Sequence, residues 1–438
     1  MKKTILTIAL CVAAALGAAA ATKPGVEVLR DNDFKQLAGK RVGLITNPTG
    51  VDNNLKSTVD ILHEAKGVEL VALFGPEHGV RGNVHAGDEF GNTTDPATGV
   101  KVFSIYGKTK KPTKEMLSGI DALVYDIQDI GCRSFTFVST LGLALDACAE
   151  NDIEFVVLDR PNPLGGNRVE GCLVEDGFYS FVSQFKIPYL YGMTPGEMAR
   201  YLNGERVARG EKAAKLTVVP LKGWKRSMTF DKTGMPWVLP SPHIPQPATA
   251  FYYPATGILG ELYYVSIGVG YTLPFQLICA DWIDADKFAA RMNALNLPGT
   301  KFRPIHVKPF YGTGKGENLQ GVQFYVDDVP GSSLTLIQFY AMQELAKLYP
   351  EKRIFDTATD KSRFDMFDKV CGTDKIRTLF SKNYQVSDMI DYWNKDADAF
   401  KEKATIPRCT VRGLRFVLCW QRCVIFVGSI LSGQRCIS

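Results

Sequence analysis

Histidine is scarce in this chain, with five copies in 438 residues. His78 and His85 have Glu77 and Asp88 beside them, but a spacing of seven fits neither a helical H-x-x-x-H pair nor a zinc-ligand pattern. No metal centre is therefore expected, and His78 is read as a hydrogen-bonding partner. The turn after the first expected strand, Thr46-Asn-Pro-Thr-Gly50, lacks G-x-G-x-x-G, so the backbone has no close approach to a dinucleotide. A Walker lysine and a G-x-S-x-G elbow are also missing, which leaves nucleotide cofactors and serine-hydrolase chemistry without their usual support. Excess positive charge is absent too. Of the formal +5, Lys2, Lys3 and five arginines near the C-terminus account for seven charges, which leaves the body at −2 and without a footprint for nucleic acid.

Cysteine is present but not organised. Cys132, Cys148, Cys172, Cys279 and Cys371 are scattered and odd in number, so they form no disulfide framework. The only apolar run near either end that reads as a targeting element is Ile5 to Leu16, behind Lys2-Lys3 and before small residues. That pattern is a signal peptide over 1–21, which implies a periplasmic or secreted protein. From Pro407 onward the chain has no Asp, Glu or Lys, while five Arg and four Cys crowd together. Residues 406–438 are therefore set apart as an atypical Cys/Arg-rich tail, read as aberrant.

The rest alternates. Short apolar runs at 41–45, 68–74, 100–105, 122–125 and 154–158 alternate with helical spacing at 55–66, 113–117 and 141–151. Continuous Val/Ile/Leu strands separated by helices predict an α/β fold with a parallel sheet covered on both faces. Thr194 and Pro195 read as the N-cap and first position of a helix, and 215–221 reads as a further strand. A proline-rich stretch from Pro236 to Pro254 predicts an irregular crossing without regular structure. Beyond it, a strand at 321–326 and helices at 334–349 and 375–381 predict a second, smaller α/β or α+β domain. The boundaries are set at 24–248 and 249–405.

Ligands of open parallel sheets bind beyond the carboxyl ends of the strands. There this sequence concentrates Asn47, Glu77-His78, Asp126-Gln128-Asp129, and Asp159-Arg160-Asn162. Gly, Pro, Asn and Asp also make turns, and that reading competes for Asn47 and Asn162, each beside a proline. Glu77, held between Gly-Pro and His-Gly straight after an apolar strand, is harder to explain by turn-making. A carboxylate set with Arg, Gln, Asn and aromatic neighbours suits sugar binding and glycosidic cleavage. On the residues alone, two readings stay open: a secreted hydrolase, or a sugar-binding protein on the same scaffold.

The motifs at these strand ends bear a resemblance. Gly43-Leu-Ile-Thr-Asn-Pro-Thr-Gly50, Phe74-Gly-Pro-Glu-His-Gly-Val-Arg-Gly82, Tyr125-Asp-Ile-Gln-Asp-Ile-Gly-Cys-Arg133 and Asp159-Arg-Pro-Asn-Pro-Leu-Gly-Gly166 are similar to segments of the bacterial exo-β-N-acetylmuramidases. Glu170-Gly171, Gly192-Met-Thr-Pro-Gly-Glu197 and Pro240-Ser-Pro242 fit as well. The resemblance implies hydrolysis of terminal N-acetylmuramic acid from peptidoglycan fragments. It also implies a Rossmann-like domain followed by an auxiliary domain, with the site in the cleft between them. Glu77 would then be the general acid/base, with a pKa raised by burial, and His78 would lie beside it. Asp126 and Asp129 are candidates for a second carboxylate; failing both, the substrate's 2-acetamido group is the alternative nucleophile. Arg81, Arg133 and Arg160 are candidates for the lactyl carboxylate of muramic acid. Asn47, Gln128, Asp159, Asn162 and Ser241 complete the expected substrate-binding set. The chain departs from the family at Leu190-Tyr191, where Arg-His is usual, at Val269 in place of an Arg, and at Tyr264 in place of an Asn. Fewer cations and more aromatics are expected to shift binding toward stacking on sugar faces.

Overall fold

A computed structural model describes residues 21–405, apart from 85, 86, 89, 90, 330, 359 and 360. The signal peptide, the tail and His85 thus lie outside the described residues, except for Ala21 at the leader's end. The first lobe opens with helix α1 (Gly25–Asp31) and strand β1 (Lys40–Thr46), followed by α2 (Thr58–Glu64) and β2 (Val68–Gly75). Next come β3 (Thr93–Thr94), β4 (Lys101–Ser104), β5 (Ala122–Asp126), α3 (Phe137–Glu150) and β6 (Glu154–Leu158). Helix α4 (Pro195–Ala208) and β7 (Lys215–Val219) complete the sheet. Its order is β3-β4-β2-β1-β5-β6-β7, parallel throughout except for β3.

Strand alternation explains the burial on both faces. Ile45, Leu123, Tyr125, Phe155 and Val157 point into one apolar cluster. Their neighbours Leu44, Ala122, Val124, Val156 and Leu158 point into the opposite one. Each large aliphatic or aromatic side chain among them contributes roughly 1.5–3 kcal/mol by leaving water, so burial on both faces holds the sheet between its helices. Helix starts follow local chemistry. Ser57 caps α2 through the amide of Asp60, and Thr194 with Glu197 forms a reciprocal capping box on α4, with Pro195 in its first turn. The helical spacing at 113–117 forms turns instead of a helix.

The second lobe begins sooner than the prolines suggest. Helix α5 (Thr249–Gly260) starts inside the stretch expected to be irregular and carries Pro254 within it. The carbonyl of Pro254 accepts from Gln338, whose Oε1 in turn takes the amide of Leu259, so a buried glutamine supports the helix around the proline. Strands β8 (Leu277–Ala280), β9 (Thr300–Val307) and β10 (Leu319–Val326) form an antiparallel sheet in the order β8-β10-β9, with α6 (Ala285–Ala294) and α7 (Leu336–Leu348) packed nearby. β9, an edge strand, buries Phe302 against one cluster and Ile305 and Val307 against another, with Arg303 and Pro304 exposed between them.

Buried polar groups bind the lobes together. Arg133 is fully buried and donates five hydrogen bonds: to Ser183 Oγ, and to the carbonyls of Cys172, Ile187, Val370 and Cys371. Glu170 accepts from Ser333, Leu334 and Thr335 across the same boundary and pairs with Arg168 at 2.6 Å. The five described cysteines are all free and buried.

Candidate active site

Glu77 stands at the end of β2 in a tight turn, where the amide of Gly79 bonds back to the carbonyl of Pro76 at 2.9 Å. His78, the third residue of that turn, has φ +70°, a left-handed conformation costly for any side chain but glycine. Strain of this kind persists where the surroundings over-determine it. Here the buried ring of His78 does so, with Nδ1 at 3.0 Å from the carbonyl of Val84. A carbonyl can only accept, so Nδ1 carries a proton directed at Val84.

The half-buried carboxylate of Glu77 is held by neutral donors. Tyr106 donates its hydroxyl to Oε1 at 3.0 Å, Thr136 donates to Oε2 at 3.1 Å, and the amide of Gly87 donates to Oε1 at 3.2 Å. No cation is among the partners of Glu77 within the described residues. Hydroxyls can either donate or accept, so this setting satisfies the group with or without its proton.

The second lobe reaches the same place through Tyr253 and Tyr311, beside His243 near the end of the first lobe. His243 lies close enough to Glu77 and His78 to feel both: burial lowers its pKa most, the charge of His78 lowers it further, and the Glu77 carboxylate opposes. Its Nε2 is 2.8 Å from the hydroxyl of Tyr311, beyond β9. Tyr253 on α5 shares a hydrogen bond with Ser134 at 3.2 Å, and its buried phenol also senses Glu77. The site therefore sits where the lobes meet.

The other expected residues are placed differently. Asp126 is fully buried and bound by Arg160 through both oxygens, at 2.5 and 2.9 Å, with the hydroxyl of Thr58 at 2.5 Å. It has no free oxygen for chemistry, and Arg160 has no free fork for a lactyl carboxylate. Arg133 is spent on the inter-lobe carbonyls, and Arg81 grips Asp95 with two bonds at 2.8 and 2.9 Å. All three arginines thus act inside the protein.

Asp159 is a buried anchor for α4, accepting from Gly196 and Thr194; burial pushes its pKa up to about 7. Asn162 accepts from Leu164 and donates to Met193, and it presses against Gly131, where an added Cβ would meet its amide at 2.4 Å. Asn47 folds onto Thr49, Gln128 donates to the carbonyls of Asp129 and Pro161, and Ser241 accepts from the amide of His243. Asp129 is the remaining carboxyl of interest. Burial pushes its pKa up to about 7, while the amides of Ile130 and Gly131 and the hydroxyl of Tyr191 hold it down somewhat.

Topology and chemistry diverge here. Strand order reverses between β1 and β5, the usual crevice for a ligand. The Asp126–Arg160 pair, Thr49 and Gln128 fill it, leaving a cavity of about 10 Å³, no larger than a single water. The site has moved one strand outward, to β2.

The departures from the family pattern are also absorbed internally. Leu190 is buried in bridges to Cys132 and Glu170, Tyr191 bonds Asp129, and Tyr264 packs on Trp282 and donates to the carbonyl of Lys352 at 2.5 Å. None of these three offers a face to a sugar. Sequence reasoning missed Tyr106, Thr136, His243, Tyr253 and Tyr311. Only His243 carried a signal: it is a rare histidine, two residues past Ser241.

Residues 42–248 match the family described as exo-beta-N-acetylmuramidase NamZ, N-terminal, and residues 251–406 match its C-terminal counterpart. The chain is 44% identical over 378 residues to the peptidoglycan beta-N-acetylmuramidase NamZ of Bacillus subtilis (strain 168), covering 86% of this chain and 89% of that one. A solved DUF1343 family protein from Bacteroides fragilis superposes with a TM-score of 0.84 at 59% identity, covering 88% of this chain and 97% of the other. A second from the same organism gives 0.68 at 27% identity, over 88% and 98%.

Proposed function

The chain belongs to the exo-beta-N-acetylmuramidase NamZ family and is a glycoside hydrolase, and from that premise we propose that it releases terminal N-acetylmuramic acid from peptidoglycan fragments, with Glu77 as general acid/base. The observation that carries this reading is the carboxylate of Glu77 at the lobe junction, held by two hydroxyls and an amide.

With Asp126 locked to Arg160 and Asp129 turned onto backbone amides, the substrate's 2-acetamido group is the nucleophile this geometry favours. Its oxygen attacks the anomeric carbon as Glu77 donates its proton to the departing oxygen, breaking the glycosidic bond. Glu77, now a carboxylate, then takes a proton from the water that opens the cyclic intermediate, which restores the acetamido group and the acid. Neutral His243, fixed by Tyr311, borders the sugar opposite Glu77. The leader over 1–21 supports action outside the cytoplasm, where such fragments are shed.

The test incubates wild type and Glu77→Gln with a muramic acid–glucosamine disaccharide and a chromogenic muramide. Wild type should turn over both, and the variant should lose roughly 10²–10⁴-fold in kcat with its fold intact. Full activity in the variant would remove Glu77 from the chemistry, and tight binding without turnover by wild type would return the chain to a sugar-binding role. Mass spectrometry of the exported protein, showing an N-terminus near Ala21, checks secretion.

A further inference from the structure

The second lobe carries a cavity of about 820 Å³ against β9, lined by Tyr271, His306, Lys308, Phe310, Lys315 and Asn318 among others. Phe310 is 70% exposed, and its ring lies parallel to Tyr271, with centroids 6.1 Å apart and planes 13° from coincidence. An aromatic ring this exposed, in a hollow lined by apolar groups and two lysines, raises the question of what covers it. Lys308 and Lys315 are exposed, and neither ammonium pairs with a carboxylate among the described residues.

The platform is rigid. The amide of Phe310 bonds the carbonyl of Gly270 at 2.8 Å, and a Cβ on Gly270 would meet the carbonyl oxygen of Tyr311 at 1.8 Å, so the two loops are locked face to face. The next side chain, Tyr311, is the one that bonds His243 beside Glu77. A single dipeptide therefore joins this hollow to the candidate active site.

We propose that this hollow is a binding subsite for the glycan beyond the sugar being released: an extended, carboxylate-bearing saccharide. A sugar ring stacks on Phe310, a carboxylate meets Lys308 and Lys315, and the amide of Asn318 serves hydroxyl or acetamido groups. An exposed flat ring, unpaired cations and amides in one concave site fit that chemistry better than they fit an apolar protein surface. The assignment rests on the reading that the lobe junction cleaves muramyl glycans, and it adds where the rest of the chain lies.

The experiment compares wild type, Phe310→Ala and the Lys308→Ala/Lys315→Ala double variant. The probes are a peptide-free tetrasaccharide of alternating N-acetylmuramic acid and N-acetylglucosamine, and the single-sugar chromogenic muramide. Phe310 is exposed, so its removal should leave the fold unchanged. Phe310→Ala should weaken tetrasaccharide binding by titration, and raise its KM, about five- to tenfold, the scale of one lost ring contact. The muramide, too short to reach the hollow, should keep its kcat/KM within about twofold. The lysine variant should show the same selectivity, with a loss that shrinks as salt is raised. Unchanged tetrasaccharide binding, or equal losses on both substrates, overturns the proposal. If wild type hydrolyses neither probe, the catalytic reading falls alone, because the titration still decides the hollow.

Discussion

Replacing Asp126 with Asn separates architecture from chemistry. The carboxylate is fully buried and holds the equally buried guanidinium of Arg160 through both oxygens. Neutralising it leaves Arg160 with the carbonyl of Val51 at 2.8 Å but no counter-charge. Removing one partner of a buried pair costs about 3–5 kcal/mol, most of it from the stranded charge. With an unfolding entropy of roughly 2.1 cal/mol/K per residue over a body of this length, that corresponds to a fall in Tm of about 4–6 °C. Calorimetry on wild type and Asp126→Asn measures it, beside kcat on the chromogenic muramide at a temperature where both are folded. The expected result is a lower Tm with kcat within a few-fold of wild type. An apolar pair, Asp126→Leu with Arg160→Met, should recover much of the loss, because it strands no charge. A variant that keeps its Tm and loses turnover a hundredfold or more would refute the structural assignment and make Asp126 a participant in the reaction.

Other outcomes follow from the same geometry. Asp129 keeps its proton up to about 7 in the fold, against an ordinary value of 3.8, so between those pH values the folded state binds a proton the unfolded chain has released. Its contribution is fully present below about 4 and lost as pH rises through 7, at no more than about 1.4 kcal/mol per pH unit. Asp129→Asn should therefore flatten urea-derived stability across that window, with Asp159 keeping part of the slope; an unchanged profile would show that Asp129 ionises freely. His243→Gln should cut kcat/KM for the muramide about 10–100-fold and remove an acid limb lying below pH 6.5, where the imidazole takes up its proton. A uniform loss at every pH would make the residue a packing element only.

The sheet was legible because each strand is a continuous apolar run and each helix between them carries the other period. Thr194, with Pro195 after it, marked one helix start by cap chemistry alone. The proline-rich crossing misled because a run of prolines says nothing of Gln338, far along the chain, which satisfies the helix around Pro254. The site was half legible. Glu77 stood out because the residues around it make a turn and it does not need to. The arginines misled for the opposite reason: a guanidinium beside a strand end serves a ligand or the protein equally well until its partners are known. Asp95, Asp126 and the carbonyls of Val370 and Cys371 are those partners, and three of the four lie far from their arginine in sequence. Tyr106 and Thr136 are ordinary loop residues until folding brings them to one carboxylate, and so is Tyr311 until it meets His243.

The inter-lobe bonding of Arg133 also bears on how the enzyme cycles. Its guanidinium draws acceptors from both halves of the molecule, so any jaw-like opening would strip a dehydrated cation of its donors' partners at a cost of several kcal/mol. The two lobes are therefore held against hinge-like separation and behave as one body on the time of a turnover only if that bonding survives, which makes Arg133 the place where any opening would have to begin.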